Sequence, residues 1–233
     1  MKNIRAITYP KSGQHLLYET LLKYFSGQVD YNSSPRRDNG GQILRAKKFV
    51  FCEKGIHCFK TPCPEPDTNF QVMHNCVILP EQAPNVNYLL LYRNPIYCVL
   101  SLNAYGDSTH SPKTKDWKEI DYLKRYIQRL AEWKKWIHKW VIDNKQPNTF
   151  LVKYEDLIAT PEKELARIIK YIEPDEEIDT EHLKEVIKFM DIKPKHKVTD
   201  FTYYESMKKT LMQLERLIAS ELDALNIPRI RWE

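Results

Sequence analysis

Three stretches of the chain repeat one pattern: a short, mostly apolar run, a polar turn, then apolar residues at helical spacing. In the first, the run is 4–9, the turn is Pro10-Lys11-Ser12-Gly13 and the helical pattern is 14–25. In the second, 88–92 leads through Arg93-Asn94-Pro95 into 96–105. In the third, 149–153 leads through Tyr154-Glu155-Asp156 into 161–172. Strands that feed helices through short turns predict an α/β fold, a central parallel sheet flanked by helices. Sheets of this kind bind ligands beyond the carboxyl ends of their strands. The three polar turns are therefore expected to converge on one edge.

Other elements follow from the same pattern. Residues 49–52 and 57–61 predict two short strands around Glu53-Lys54-Gly55, and 117–141 predicts a long helix. Its Trp133, Trp136 and Trp140 fall at i, i+3 and i+7, an apolar stripe that belongs to a core. The amphipathic stretch 204–225 predicts a last helix packed on the sheet. Residues 26–41 are polar and turn-rich and predict a mobile loop, while 173–181 is acidic and solvated. Asn94-Pro95 and Thr160-Pro161 each place a capping residue before a proline at the first helical position. Glu162 and Glu164 then sit in a first turn, where the helix dipole favours negative charge.

The chain has 233 residues, a length that suits one domain over 1–233, and no internal repeat divides it. With 42% hydrophobic and 29% charged residues it has the composition of a globular protein, which excludes a disordered one. The 36 Lys and Arg against 31 Asp and Glu leave +5, too small and scattered an excess for a nucleic-acid-binding face. A small polyanionic ligand fits that charge equally well. The five cysteines follow no CxxC spacing, so neither a disulfide framework nor a zinc site is expected. The first ten residues read as a strand and not as a signal peptide, and no apolar run approaches the ~20 residues of a membrane span. These features predict a cytoplasmic protein without membrane or nucleic-acid partners. The sequon Asn32-Ser33-Ser34 then carries no weight.

Pro10-Lys11-Ser12-Gly13 brings backbone amides, a hydroxyl and an ammonium to one point at the start of a helix, the physics of anion binding. It is not a Walker A loop, which needs GxxxxGK(S/T); here the lysine precedes the glycine. That order weakens a reading as an ATP-dependent kinase. In the second turn Arg93 closes a strand and Ser101 follows roughly 9 Å along the helix axis. A phosphate lying against that flank could meet both, and arginine supplies the forked donors that phosphate geometry wants. Taken singly, the first turn reads more readily as an ordinary solvated turn, and Arg-Asn-Pro is also a common turn.

Together the turns resemble a known family. TYPKSGQHLL (8–17) resembles the 5′-phosphosulfate loop of sulfotransferases that use 3′-phosphoadenosine 5′-phosphosulfate (PAPS), usually read as TYPKSGTTW. YRNPIYCVLS (92–101) resembles their 3′-phosphate motif, and FLVKYEDLIATPEKEL (150–165) their YEDL segment with the helix after it. These segments anchor the resemblance on about a quarter of the chain. It implies a P-loop-like nucleotide-binding architecture, PAPS as co-substrate, 3′-phosphoadenosine 5′-phosphate (PAP) as product, and no metal. It further implies that Lys11 offsets charge on the leaving PAP, with Ser12, Gly13, Gln14 and His15 cradling the 5′ end. Arg93 and Ser101 would hold the 3′-phosphate, and Tyr154 would lie near the adenine.

The family's usual general base is the histidine of a Lys-Thr-His segment. Here Lys60 and Thr61 are followed by Pro62, which cannot take a proton. Lys60 would still assist at the transferring group. His57 lies on the opposite face of the strand from Lys60 by alternation, so it is not favoured. His15, in the first helical turn, is the first candidate, and Glu19 at i+4 is the second, as its orienting partner or as the base itself. His74 and Glu53 complete the candidates. Leu16 stands where the family has a tryptophan, and the C-terminal RKGxxGDW loop has no clear counterpart, Lys195-His196-Lys197 lying in its region without assignment. The acceptor implied is a small molecule or a glycan bearing a hydroxyl or amine. The 14 tyrosines suit an aromatic-lined acceptor pocket and ordinary packing equally well. The alternative is a non-catalytic binder of PAPS or PAP built on the same fold.

Overall fold

The structure is a computed structural model that describes residues 2–30, 36–38, 41–46, 49–53, 70–74, 87–108, 118–144, 147–193 and 204–232. Strand β1 (Ile4–Thr8) runs into helix α1 (Gln14–Ser26), β6 (Asn87–Tyr92) into α2 (Pro95–Ser108), and β7 (Thr149–Lys153) into α4 (Tyr154–Ala159) and α5 (Pro161–Ile172). These are the three units that the hydrophobic pattern predicts. The strands β2 (Arg36–Asp38), β3 (Gly41–Ala46), β4 (Phe49–Glu53) and β5 (Phe70–His74) lie between the first and second. The seven strands form one sheet in the order β2-β3-β4-β5-β1-β6-β7. From β4 to β7 all neighbours pair parallel, so the centre is parallel as expected. The β2 and β3 pairings are antiparallel and add a mixed edge.

That edge corrects the loop expected over 26–41, since β2 falls inside it. An edge strand has a neighbour on one side only and tolerates polar sequence such as Arg36-Arg37-Asp38, which carries no apolar signal. The strand expected over 57–61 lies outside the described residues. The long helix is α3 (Glu119–Ile137), followed by a five-residue π-helical turn, His138–Ile142. The last amphipathic stretch is broken at Ile218 into α7 (Tyr204–Leu217) and α8 (Ala219–Ala224). The acidic stretch is solvated only in part. Glu173 is buried, and Asp179 caps α6 (Thr180–Met190) by accepting from the His182 amide at 3.0 Å.

Alternation along β1 gives the sheet two cores. Ile4 and Ala6 face a cluster with Leu17 and Leu21 of α1, Ile168 and Ile169 of α5 and Leu183 of α6. Ile7 faces the other, with Trp133, Trp136 and Trp140 from the α3 stripe, Leu211 of α7 and Leu222 of α8. Each such side chain buried stabilises by about 1.5–3 kcal/mol. With both faces of β1 and β6 covered among the described residues, the ends of these strands are where a ligand can be met. The register puts Thr8 of β1 beside Leu91 of β6, and Tyr92 of β6 beside Lys153 of β7. The chain therefore leaves the three strands at nearly the same level.

Candidate functional site

The first turn is held in a conformation that few residues adopt. Lys11 has φ of 65° and Gly13 a φ of 100°, both left-handed. The turn closes on itself, with the Ser12 amide donating to the Tyr9 carbonyl at 3.1 Å. Ser12 is fully buried and its Oγ lies 3.7 Å from the Cys98 Sγ of α2. The Thr8 hydroxyl donates to Gln14 Oε1 at 2.8 Å, which ties the strand end to the first residue of α1. Gly13 sits at the helix N-cap and no side chain caps the helix there. Its lack of a side chain is required: a Cβ would stand 2.5 Å from Cδ2 and 2.6 Å from Cε2 of the Tyr154 ring.

In the second turn the Arg93 guanidinium stacks over the Tyr154 ring at 4.2 Å and the Tyr97 ring at 5.1 Å. Its Nη1 donates to the Lys11 carbonyl at 3.4 Å, linking second turn to first. Asn94 Oδ1 accepts from the Ile96 amide at 3.0 Å, so it caps α2 as its sequence predicts. Asn94 Nδ2 donates to the Pro228 carbonyl at 3.1 Å, and the Asn94 amide donates to Glu155 Oε1 at 2.9 Å. Ser101 is half-buried two turns along α2.

The third segment is not a turn. Tyr154, Glu155 and Asp156 form the first turn of α4, with Lys153 as the extended residue before it. Neither does Thr160 cap α5: its hydroxyl donates back to the Asp156 carbonyl at 3.2 Å, the competing local bond open to a threonine after a helix. Tyr154 wedges between the other two turns, its ring against Gly13 and Arg93.

The electrostatics follow burial. Partial burial pulls the Lys11 ammonium below its ordinary pKa of 10.5, the response of a cation that would gain from an anion beside it. Burial pushes the Glu155 carboxyl up, opposed by the Asn94 amide and the charges of Arg93 and Lys153. Burial drives the Cys98 thiol to about 12, against the pull of Arg93 and Ser12, so it is an inert thiol.

Among the predicted residues, contacts therefore join Lys11, Ser12, Gly13, Arg93 and Tyr154. His15 and Glu19 are exposed on α1. His15 meets Tyr18 and not Glu19: the Tyr18 hydroxyl stands 2.8 Å from His15 Nδ1. A buried tyrosine at i+3 reaches the ring where the solvated carboxylate at i+4 has no packing to hold it. Lys60, Thr61, Pro62, His57 and 195–197 lie outside the described residues. Sequence reasoning missed the bonds of Glu155, Tyr18 and Pro228; no local signal marks those of Glu155 and Pro228, which join residues far apart along the chain, while helical spacing admits Tyr18 without selecting it. Among the described residues, no three His, Cys, Asp or Glu side chains stand together as a metal site, and no helix is long and apolar enough to cross a membrane.

Comparisons with known proteins bear on the family and on the fold. A family model described as a sulfotransferase domain matches residues 3–223. No curated protein matches the sequence. Among solved structures, a mouse sulfotransferase in complex with PAP is similar with a TM-score of 0.54 at 16% identity, over 81% of this chain. The chain spans 64% of that enzyme's length. A retinol dehydratase in complex with androsterone and inactive cofactor PAP is similar with a TM-score of 0.59 at 10% identity, over 95% of this chain and 81% of that one. The structure of retinol dehydratase with retinol and PAP gives 0.57 at 10% identity, over 100% and 84%. At such identities the likeness is one of fold.

Proposed function

The chain belongs to the sulfotransferase-domain family, and from that premise we propose that it transfers a sulfuryl group from PAPS to a hydroxyl or amine of a small-molecule or glycan acceptor. The observation that carries the reading is the joining of two cation-bearing turns at adjacent strand ends by the Arg93 and Tyr154 contacts. The first turn, with its uncapped helix start and Lys11, suits the 5′-phosphosulfate; Arg93, with Ser101 along α2, suits the 3′-phosphate. Tyr154 between them suits the nucleoside. The solved neighbours that hold PAP, one of them with retinol and with androsterone, support a nucleotide and a small hydroxyl-bearing acceptor.

In the transfer, a bond forms between the acceptor oxygen or nitrogen and sulfur, and the bond from sulfur to the bridging oxygen breaks. The electron pair goes to the leaving PAP, and the Lys11 ammonium offsets the charge that develops there. Such chemistry needs positioning and fixed charge more than covalent help, which the closed first turn, anchored by the buried Ser12, provides. The acceptor proton goes to a base. His15 is the residue we assign, with Tyr18 fixing its Nδ1 and leaving Nε2 toward the acceptor; Glu19 is second, and Lys60 assists at the transferring group.

An assay with radiolabelled PAPS and a panel of alcohols and amines tests the reading. Lys11→Ala should lower turnover by about 10²–10³ while leaving the thermal midpoint unchanged. Unchanged turnover refutes the role of Lys11. PAP binding without transfer to any acceptor supports the non-catalytic binder, for which Pro62 at the usual histidine position speaks.

A further inference from the structure

The Glu155 carboxylate is used in an unexpected way. Its Oε1 accepts from the Asn94 amide at 2.9 Å, and its Oε2 is buried without a hydrogen-bond partner. A buried carboxylate with one idle oxygen is costly to keep, so the bond it does make needs a reason. That bond falls on the residue between Arg93 and Pro95. Pro95 has no amide, and the Ile96 amide is taken by Asn94 Oδ1. The backbone between the strand end and α2 is thus held by the Glu155 acceptor on one side and by Asn94 Nδ2 on Pro228 on the other. The neighbouring residue of Glu155 is Tyr154, whose ring carries the Arg93 guanidinium. One segment therefore fixes both the backbone and the stacking surface of Arg93.

Resting on the proposed PAPS chemistry, we infer that Glu155 is a positioning residue for the 3′-phosphate: by accepting the Asn94 amide it holds the Arg93 guanidinium between Tyr97 and Tyr154, where that phosphate docks. It acts by reach and not by charge. A carboxylate facing the phosphate would repel it, whereas here the oxygen is spent on an amide. The bond also takes the cap amide at the start of α2 out of play as an anion donor.

Two conservative variants separate reach from charge. Glu155→Gln keeps the acceptor oxygen in place and removes the charge; Glu155→Asp keeps the charge and withdraws the oxygen by one methylene. Calorimetry on the full chain compares PAP with adenosine 5′-monophosphate, which lacks the 3′-phosphate. The E155D variant should bind PAP roughly tenfold more weakly with its monophosphate affinity unchanged, while E155Q stays within about threefold of the parent for both. Equal losses for the two nucleotides, no loss in E155D, or a loss in E155Q as large as in E155D would overturn the inference. Amide hydrogen exchange at Asn94, measured without nucleotide, reads the brace alone: at least about tenfold faster in E155D and unchanged in E155Q. A parent chain that does not prefer PAP over the monophosphate would overturn the nucleotide reading and the phosphate role of Glu155 with it. Unchanged Asn94 exchange in E155D would instead overturn the brace and leave the nucleotide reading standing.

Discussion

The starts of α1 and α2 lie at neighbouring strand ends and spend their hydrogen bonds in opposite ways. At α1 the cap is Gly13, no side chain caps the helix and no acidic residue sits in the first turn, while Lys11 and Gly13 hold left-handed φ angles. At α2 the cap is Asn94, its side chain takes the Ile96 amide, and a buried carboxylate takes the cap amide. The first turn thus leaves its backbone and dipole uncapped, at the expense of conformational strain, which suits the anion site proposed there. The second uses its backbone for internal bracing and presents one side chain, Arg93, stacked between two rings. One kind of strand-to-helix turn can therefore receive an anion through the main chain or through a braced guanidinium. Which it does depends on who satisfies the helix amides.

Changing the first turn should have the largest effect. Gly13→Ala places a methyl 2.5 Å from Cδ2 and 2.6 Å from Cε2 of the Tyr154 ring, at a φ of 100°. We expect a loss of about 1–3 kcal/mol in urea unfolding and at least a tenfold weaker affinity for PAP, because the ring it displaces also supports Arg93. Stability equal to the parent would break the picture of a strained cradle.

Asn94→Ala removes the cap and the Pro228 bond but leaves the Glu155 acceptor. The expected cost is about 1 kcal/mol, read as a lower thermal midpoint, with PAP affinity falling only a few-fold. A larger loss of affinity than Gly13→Ala would reverse the ranking of the two turns.

The smallest effect tests the support behind the second turn, the C-terminal segment that supplies Pro228. There Glu221 of α8 meets Lys134 of α3 at 2.9 Å, the Ser220 hydroxyl at 3.0 Å and His138 at 3.3 Å. Burial raises its carboxyl, but those donors outweigh it and hold the group at about 2, below the ordinary 4.5. A carboxyl depressed in the folded state contributes stability that is complete above about pH 4.5 and is lost as the pH falls through about 2. Glu221→Gln should therefore flatten stability against pH in that window, measured by urea titration, and leave the first turn untouched.

Most of the elements were legible because each writes its signal locally. The strands and helices of the three units, the tryptophan stripe and the Asn94 cap all appear in the structure as the sequence predicts, the third turn apart. The edge strand β2 was not legible, since three polar residues paired on one side only carry no period. Nor was the first turn of α4, where Tyr154-Glu155-Asp156 reads as a polar turn and is helical because β7 and α5 hold it at both ends. At the site, the placement of Lys11, Ser12 and Arg93 at neighbouring strand ends was legible from the pattern of strands and turns. The partner of His15 was not: helical spacing admits both Tyr18 and Glu19, and packing alone chose between them.

By itself the sequence determined where strands give way to helices and which side chains capable of binding an anion stand at those junctions. Both follow from forces that act within a few residues: the period of burial, the missing amide of proline and the absent side chain of glycine. Only the tertiary structure decided that Tyr154 touches Gly13, that Glu155 takes the Asn94 amide and that Pro228 closes the second turn. Those contacts join residues from 61 to 141 positions apart (155 − 94 and 154 − 13), and their geometry is set by the register of parallel strands and by the packing on both sheet faces, which no short window of residues contains.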